Sequence, residues 1–356
     1  MSLKILMISN AGPSRNYPSS GIFISNTVKA LNNNNQKVDW VYITKDFKIY
    51  KVVKVFKYLY LYIKSIKYLL VNRYDLIHIH FISHTGILGL ILKIIRPEVP
   101  LILNFHGSDI NASRLIPIKK IILNSNLIIS PSKVFLEKIK SKYPNTTPTY
   151  VYPSGGVDCN LFHPKIAHAK TNNEIHFGYI SRITFDKGIW DYIYAIEKLN
   201  YKNYKVIAHI IGEGPENSRV NNYIKRVNKR NLIFYNHGSV AQNKLPNYYN
   251  NFDIFIFPSK RVENESLGLV ALEALACGVP IIGTDIPITK LYIKHNFNGF
   301  IYKAGDVESL IISIQKYLNL DINIKTKMQL NARTTALNFE RNKVTNELLE
   351  KYKRII

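Results

Sequence analysis

The sequence reads as an α/β protein of two halves, each built on a parallel sheet, with a crevice between them. Three observations predict this. Short apolar runs alternate with longer helical stretches, the pattern of βαβ units. That pattern pauses at a Pro- and Gly-rich phrase, YPSGGVDCNLFHP at 152–164, and then restarts. The length of 356 residues is too great for one ordinary core.

Taken in order, KILMIS, VDWVYI, LIHIH, PLILNFH and NLIISPS read as the buried strands of the first half. EIHFGYIS, KVIAHIIG, NLIFYNHG, FDIFIFPS, VPIIGTD and GFIY read as those of the second. The most apolar window, 76–95, competes as a membrane span. It holds His78, His80, His84 and Lys93, with Gly86 and Gly89, and reads better as a strand followed by a helix. The tail, 326–356, is helical in character. MSLKILMISN runs straight into a strand pattern, without the layout of a signal peptide.

Composition narrows the class. An apolar fraction of 46% excludes a disordered chain. Two cysteines, Cys159 and Cys277, make no disulfide framework and fit a reducing compartment. No Cys/His cluster offers a zinc site. A net charge of +24 points to nucleic acid, an anionic membrane surface or phosphorylated ligands as partners, or to compositional bias alone.

One segment of the first half sharpens that choice. Val52, Val55, Phe56, Leu59, Tyr62, Ile63, Ile66 and Leu70 fall on one helical face. Lys54, Lys57 and Lys64 lie opposite, with Lys67 at the edge. The face packs on the first sheet or rests on an anionic bilayer.

Four segments carry candidate chemistry. In 257–285 a buried strand ends in Pro258 and Ser259, a polar loop follows, and a helix starts near Ser266, Leu267, Gly268 and Leu269. Its first-turn N–H groups favour a phosphate, and Gly268 lets a ligand come close. Glu265 precedes the helix and Glu273 lies inside it, two acceptors for a hydroxyl-rich ligand. An ordinary capped helix is the competing reading. In SRITFDKG, Arg182 and Lys187 follow a strand; two cations there neutralise a diphosphate, or are merely solvated. In LILNFHGSDI, His106 and Asp109 sit at a strand end, catalytic or structural. In the first loop, Ser20 and Gly21 open a helix like a phosphate cradle.

Together these segments resemble the retaining GT-B glycosyltransferases of family 4 (glycosyl transferases group 1). The shared pattern runs from the Gly loop through HGSD, GGVDCNLFHP, RITFDKG and IGEGP to the Glu265–Glu273 pair and ALACGVP. The resemblance implies two Rossmann-like domains facing an interdomain cleft. The acceptor-side domain spans 1–153 and the donor domain 154–336, with a last helix at about 337–356 crossing back. It implies that Glu273 holds the donor ribose. Arg182 and Lys187 hold the diphosphate, with backbone groups from Ser266 to Leu269. Glu265 and His106 approach the transferred sugar, Gly21 lets the first loop near the diphosphate, and Ser20 and Asp109 lie on the acceptor side. Three departures from the family pattern, Ser181 before the Arg, Ser20-Gly21, and the added charges Lys260 and Arg261, bear on fine specificity.

The function so implied is transfer of a sugar, with retention, from a nucleotide-diphosphate sugar to a hydroxyl. The nucleotide sugar is a co-substrate and no cofactor is expected. Asp-x-Asp is absent, so a metal is not indicated. The expected acceptor is a lipid-linked or surface glycan, and the expected location is cytoplasmic, at the inner face of the membrane. A nucleotide-sugar epimerase or hydrolase of the same fold competes but needs no acceptor. A nucleic-acid binder competes on charge alone, and its lysines are scattered rather than arranged around a stacking platform.

Overall fold

The computed structural model describes residues 2–14, 20–44, 51–107, 109, 116–165, 173–199, 204–260, 265 and 267–356. Among these the strands form two six-stranded sheets, all of whose pairings are parallel. The chain divides into two units, Met1–Gly156 with Arg341–Ile356, and Val157–Glu340.

The first unit holds β1 (Lys4–Gly12), α1 (Ile22–Asn33), β2 (Lys37–Thr44), α2 (Lys51–Val71), β3 (Leu76–His80), α3 (Ile82–Ile95), β4 (Leu101–Asn104), α4 (Ile118–Leu123), β5 (Leu127–Ser130), α5 (Lys133–Lys142) and β6 (Thr149–Val151). Its strand order is β2-β1-β3-β4-β5-β6. Both faces of the sheet are covered, as a parallel sheet requires. Leu6 and Ile8 enter one core, and Ile5 and Met7 the other. The window 76–95 is β3 and α3, and no described helix is long and apolar enough to cross a membrane. The short edge strand β6 carries only TYV and was not legible as an apolar run.

The second unit holds β7 (Glu174–Ile180), α6 (Ile189–Lys198), β8 (Lys205–Ile211), α7 (Asn217–Val227), β9 (Leu232–Asn236), α8 (Leu245–Tyr249), β10 (Ile254–Phe257), α9 (Leu269–Ala276), β11 (Ile281–Thr284), β12 (Gly299–Tyr302), α10 (Val307–Leu318) and α11 (Ile322–Leu337). Its order is β12-β11-β10-β7-β8-β9. Along β10, Ile254 and Ile256 face one core while Phe255 and Phe257 face the other. The order reverses between β7 and β10, so the loops leaving those two strands diverge and open a place for a ligand.

After α11 the chain turns at 338–340 and α12 (Arg341–Lys353) joins the first unit. There Val344, Leu348 and Tyr352 share a core with Ile5, Met7 and Ile24. The unit boundaries fall at 156/157 and 340/341, where the sequence reading has 153/154 and 336/337.

In helix α2 most of the apolar face picked out in the sequence is open: Val55, Phe56, Leu59 and Ile63 are each more than half exposed, while Tyr62 and Ile66 of that face pack partly on the core. The helix is seated mainly by Tyr58, Leu61, Ser65 and Leu69, with Leu61 and Ser65 fully buried. Lys57 is not on a free polar face, because its ammonium donates to the Thr44 carbonyl at 3.2 Å. The side chains of Val52 and Lys54 lie outside the described residues.

Candidate active site

In the second unit, the loop after β7 makes a tight 3-10 turn at Phe185–Lys187 and closes on Gly188, whose φ is +73°. A Cβ at Gly188 falls 2.0 Å from the Pro258 carbonyl oxygen, so the turn is pressed against the loop after β10. The IGEGP turn braces it from the other side. Ile183 N donates to the Glu213 carbonyl at 3.0 Å, and a Cβ at Gly214 falls 2.1 Å from Ile183 O.

This packing brings Lys187 and Glu265 together. The Lys187 ammonium pairs with Glu265 Oε2, and the Ser259 hydroxyl donates to the same oxygen at 2.8 Å. Both charged side chains are largely buried, 15% and 8% exposed, so the pair is held in place rather than wandering in solvent. Arg182 stays exposed at the head of the loop. Burial, together with the negative charge of Asp186 and Glu265, pushes the Tyr179 phenol far up, which keeps it neutral beside the pair. Lys260 is engaged elsewhere: it bonds Asp191 at 2.7 Å and lies over the Phe185 ring. Arg261 and Ser266 lie outside the described residues.

Helix α9 starts at Gly268, φ +75°, with no side chain capping its first turn. A Cβ there falls 2.8 Å from the Tyr292 hydroxyl and 2.9 Å from the Phe257 ring, so the strand packs directly under the helix start. Leu267 is buried beneath it, and Leu269 begins the helix. Glu273 is buried one turn on. Gln242 Nε2 donates to its Oε1 at 2.7 Å, and the Tyr249 hydroxyl lies 3.1 Å from its Oε2. Burial raises the Tyr249 phenol, with the Glu273 charge adding to it, and burial also pushes the Cys277 thiol up to about 12. Ser259, Gln242 and Tyr249 were missed in the sequence. They reach the carboxylates through tertiary packing, and no local pattern marks them.

In the first unit, Ser20 and Gly21 form the turn into α1. Gly21 has φ +65°, and a Cβ there falls 2.5 Å from the Ala11 carbonyl, so the loop is tied to the end of β1. His106 follows β4 and is buried, packed by the Phe23 and Phe81 rings at 4.9 and 4.4 Å. Asp109 was placed on the acceptor side by the sequence reading. The structure buries it completely. Its carboxylate accepts from Ser83 N at 3.0 Å, Ser83 Oγ at 2.7 Å and His106 N at 2.8 Å. Asp109 therefore pins the His106 loop to the N-terminus of α3, where a carboxylate is favoured. Burial nonetheless raises its pKa, outweighing the hydrogen bonds that favour the charged form.

Comparison with known proteins agrees with this layout. The family described as Glycosyl transferases group 1 matches residues 164–335, and Glycosyltransferase Family 4 matches residues 23–161. The capsular polysaccharide biosynthesis glycosyltransferase CapM of Staphylococcus aureus is 29% identical over 154 residues, 43% of this chain and 39% of CapM. The match thus spans well under half the length of that relative. Sucrose-phosphate synthase of Thermosynechococcus elongatus superposes with a TM-score of 0.78 at 18% identity, covering 99% of each chain. Anabaena HepE, solved with UDP-glucose, superposes at 0.72 and 18% identity, covering 99% of this chain and all of HepE. At those identities the likeness is one of fold. The two family matches occupy the two structural units in turn, and the chain belongs to the GT-B glycosyltransferases of group 1, family 4.

Proposed function

We propose that this chain moves a sugar from a nucleotide-diphosphate sugar to a hydroxyl acceptor, with retention of configuration. The observation that carries the proposal is the arrangement around α9: an uncapped helix start, a carboxylate before it gripped by Lys187, and a second carboxylate buried within it. Breaking a glycosyl–phosphate bond builds negative charge on the diphosphate and positive character on the sugar ring. Arg182, Lys187 and the backbone amides leading into α9, from Leu267 to Leu269, meet the first. Lys187 has three N–H donors, so it can hold Glu265 and a phosphate oxygen at once. Glu265 meets the second, and His106 contributes a contact to the transferred sugar.

Glu273 grips the ribose hydroxyls in this reading. Gln242 and Tyr249 hold the carboxylate in place within the helix. With the leaving charge met by side-chain cations and a helix dipole, turnover is expected to survive EDTA; loss of activity in chelator, restored by a divalent ion, overturns that part. HepE's ligand, UDP-glucose, fits the nucleotide-sugar reading, and CapM's process suggests a surface polysaccharide as the product. The open apolar face of α2, with Lys67 exposed nearby on a chain of net charge +24, suits an anionic bilayer and hence a lipid-linked acceptor at the cytoplasmic leaflet.

A thermal-shift series with UDP-, GDP- and ADP-sugars tests the donor. One of them is expected to raise Tm, and Glu273→Ala to weaken its binding by at least about tenfold in calorimetry, the loss of a charge-assisted hydrogen bond. Unchanged affinity removes the ribose role. NMR of the anomeric product decides retention.

A further inference from the structure

His106 is the end of a stack of three imidazoles. The His78 and His80 rings lie 4.4 Å apart and the His80 and His106 rings 5.3 Å apart, each pair nearly parallel at 20° and 17°. His80 Nδ1 and His106 Nε2 stand 3.1 Å apart. At that distance one nitrogen carries the proton and the other accepts it.

The surroundings decide which. His80 is buried, and its Nε2 has no hydrogen-bond partner among the described residues. Burial, reinforced by the neighbouring imidazoles His78 and His106, holds its pKa well below the usual value, so the ring is neutral and has a single N–H. A proton on Nε2 would bury a donor without an acceptor, the rarer and costlier kind of orphan. A proton on Nδ1 is used in the bond to His106. We infer that His80 is a positioning residue: locked as the Nδ1–H tautomer, it donates to His106 Nε2 and thereby forces His106 into its own Nδ1–H form.

The rest of the pocket keeps His106 from escaping this assignment. Phe23 and Phe81 pack its ring, and Asp109 holds its backbone. Phe81 adopts a left-handed backbone, φ +64°, that a non-glycine residue takes only at a cost. His106 then carries its proton at Nδ1. Under the glycosyltransferase reading, on which this use rests, it donates to a sugar hydroxyl oxygen, and it does not act as a base toward the acceptor through Nε2, which is already occupied.

The test is long-range 1H–15N correlation on the full chain with 15N-labelled histidine, at neutral pH and without any sugar nucleotide. The expected wild-type spectrum shows His106 protonated at Nδ1 and bare at Nε2. His80→Asp, whose carboxylate can only accept, is expected to place a proton on His106 Nε2, and His80→Asn, whose amide nitrogen replaces Nδ1–H, to leave it on Nδ1. A wild-type proton on His106 Nε2, or a His80→Asp spectrum like wild type, overturns the inference. If His80→Asp fails to fold, the wild-type and His80→Asn spectra still decide. Because no donor is present, failure of the donor screen and failure of this tautomer assignment are separate results.

Discussion

Gly188 and Gly305 hold nearly the same left-handed backbone, φ +73° and +78°, yet only one is crowded. A Cβ at Gly188 strikes the Pro258 carbonyl at 2.0 Å, whereas at Gly305 it meets nothing within 4 Å among the described residues. Gly305→Ala is expected to cost about 1–2 kcal/mol, the backbone penalty alone. Gly188→Ala is expected to cost clearly more, roughly 3 kcal/mol or above, because the loop bearing Lys187 must shift off Pro258. Chemical denaturation compares the two, and equal losses sink the steric argument. The carboxylates of this site were legible because a helix register places Glu265 before the start and Glu273 inside. Their partners were not. Gln242 and Tyr249 lie 31 and 24 positions from Glu273, and only the folded chain brings them to it.

At the scale of an element, α2 shows what an apolar pattern leaves undecided. Both sides of this helix carry aromatic or aliphatic residues, and the pattern alone did not settle whether the picked face packs or lies open; most of it is open. The seated side was disguised by Ser65, which is fully buried, and by Tyr58, which reaches Asn10 at 3.1 Å through its hydroxyl. The two faces separate stability from surface binding. Leu61→Ala and Leu69→Ala are expected to destabilise by about 2–4 kcal/mol. Phe56→Ser with Ile63→Ser is expected to change stability by under about 0.5 kcal/mol per site. The same pair is expected to release the protein from vesicles containing anionic lipid. Retention of the Phe56/Ile63 variant on such vesicles at the wild-type level, measured by flotation, removes the membrane reading of this face.

For the molecule as a whole, the strand sets of both sheets were legible because buried parallel strands are continuous apolar runs; β6, at a sheet edge and only half-buried, lacks that mark. The buried histidines set an acid limit. Burial pushes His78 down to about 3 in the folded chain, while an unfolded histidine titrates near 6.5. The unfolded state therefore binds more protons as pH falls below about 6.5, and stability is lost progressively toward pH 3. His78 alone is expected to remove on the order of 2 kcal/mol by pH 5, and His80 adds in the same direction. Denaturation midpoints at pH 7 and pH 5 check this; His78→Asn, which cannot titrate there, should flatten the dependence, and a slope unchanged by that substitution refutes it.

Val157 bridges Glu340 in the backbone, and Val157 N donates to the Phe339 carbonyl at 2.8 Å. The entry and exit of the second unit are thus neighbouring points on the same piece of structure. The segment 157–340 is a closed excursion from a chain that resumes, almost where it left, with α12. In genetic terms it is a single continuous insert. One recombination event can exchange it whole while the host half, with α12, is inherited unchanged.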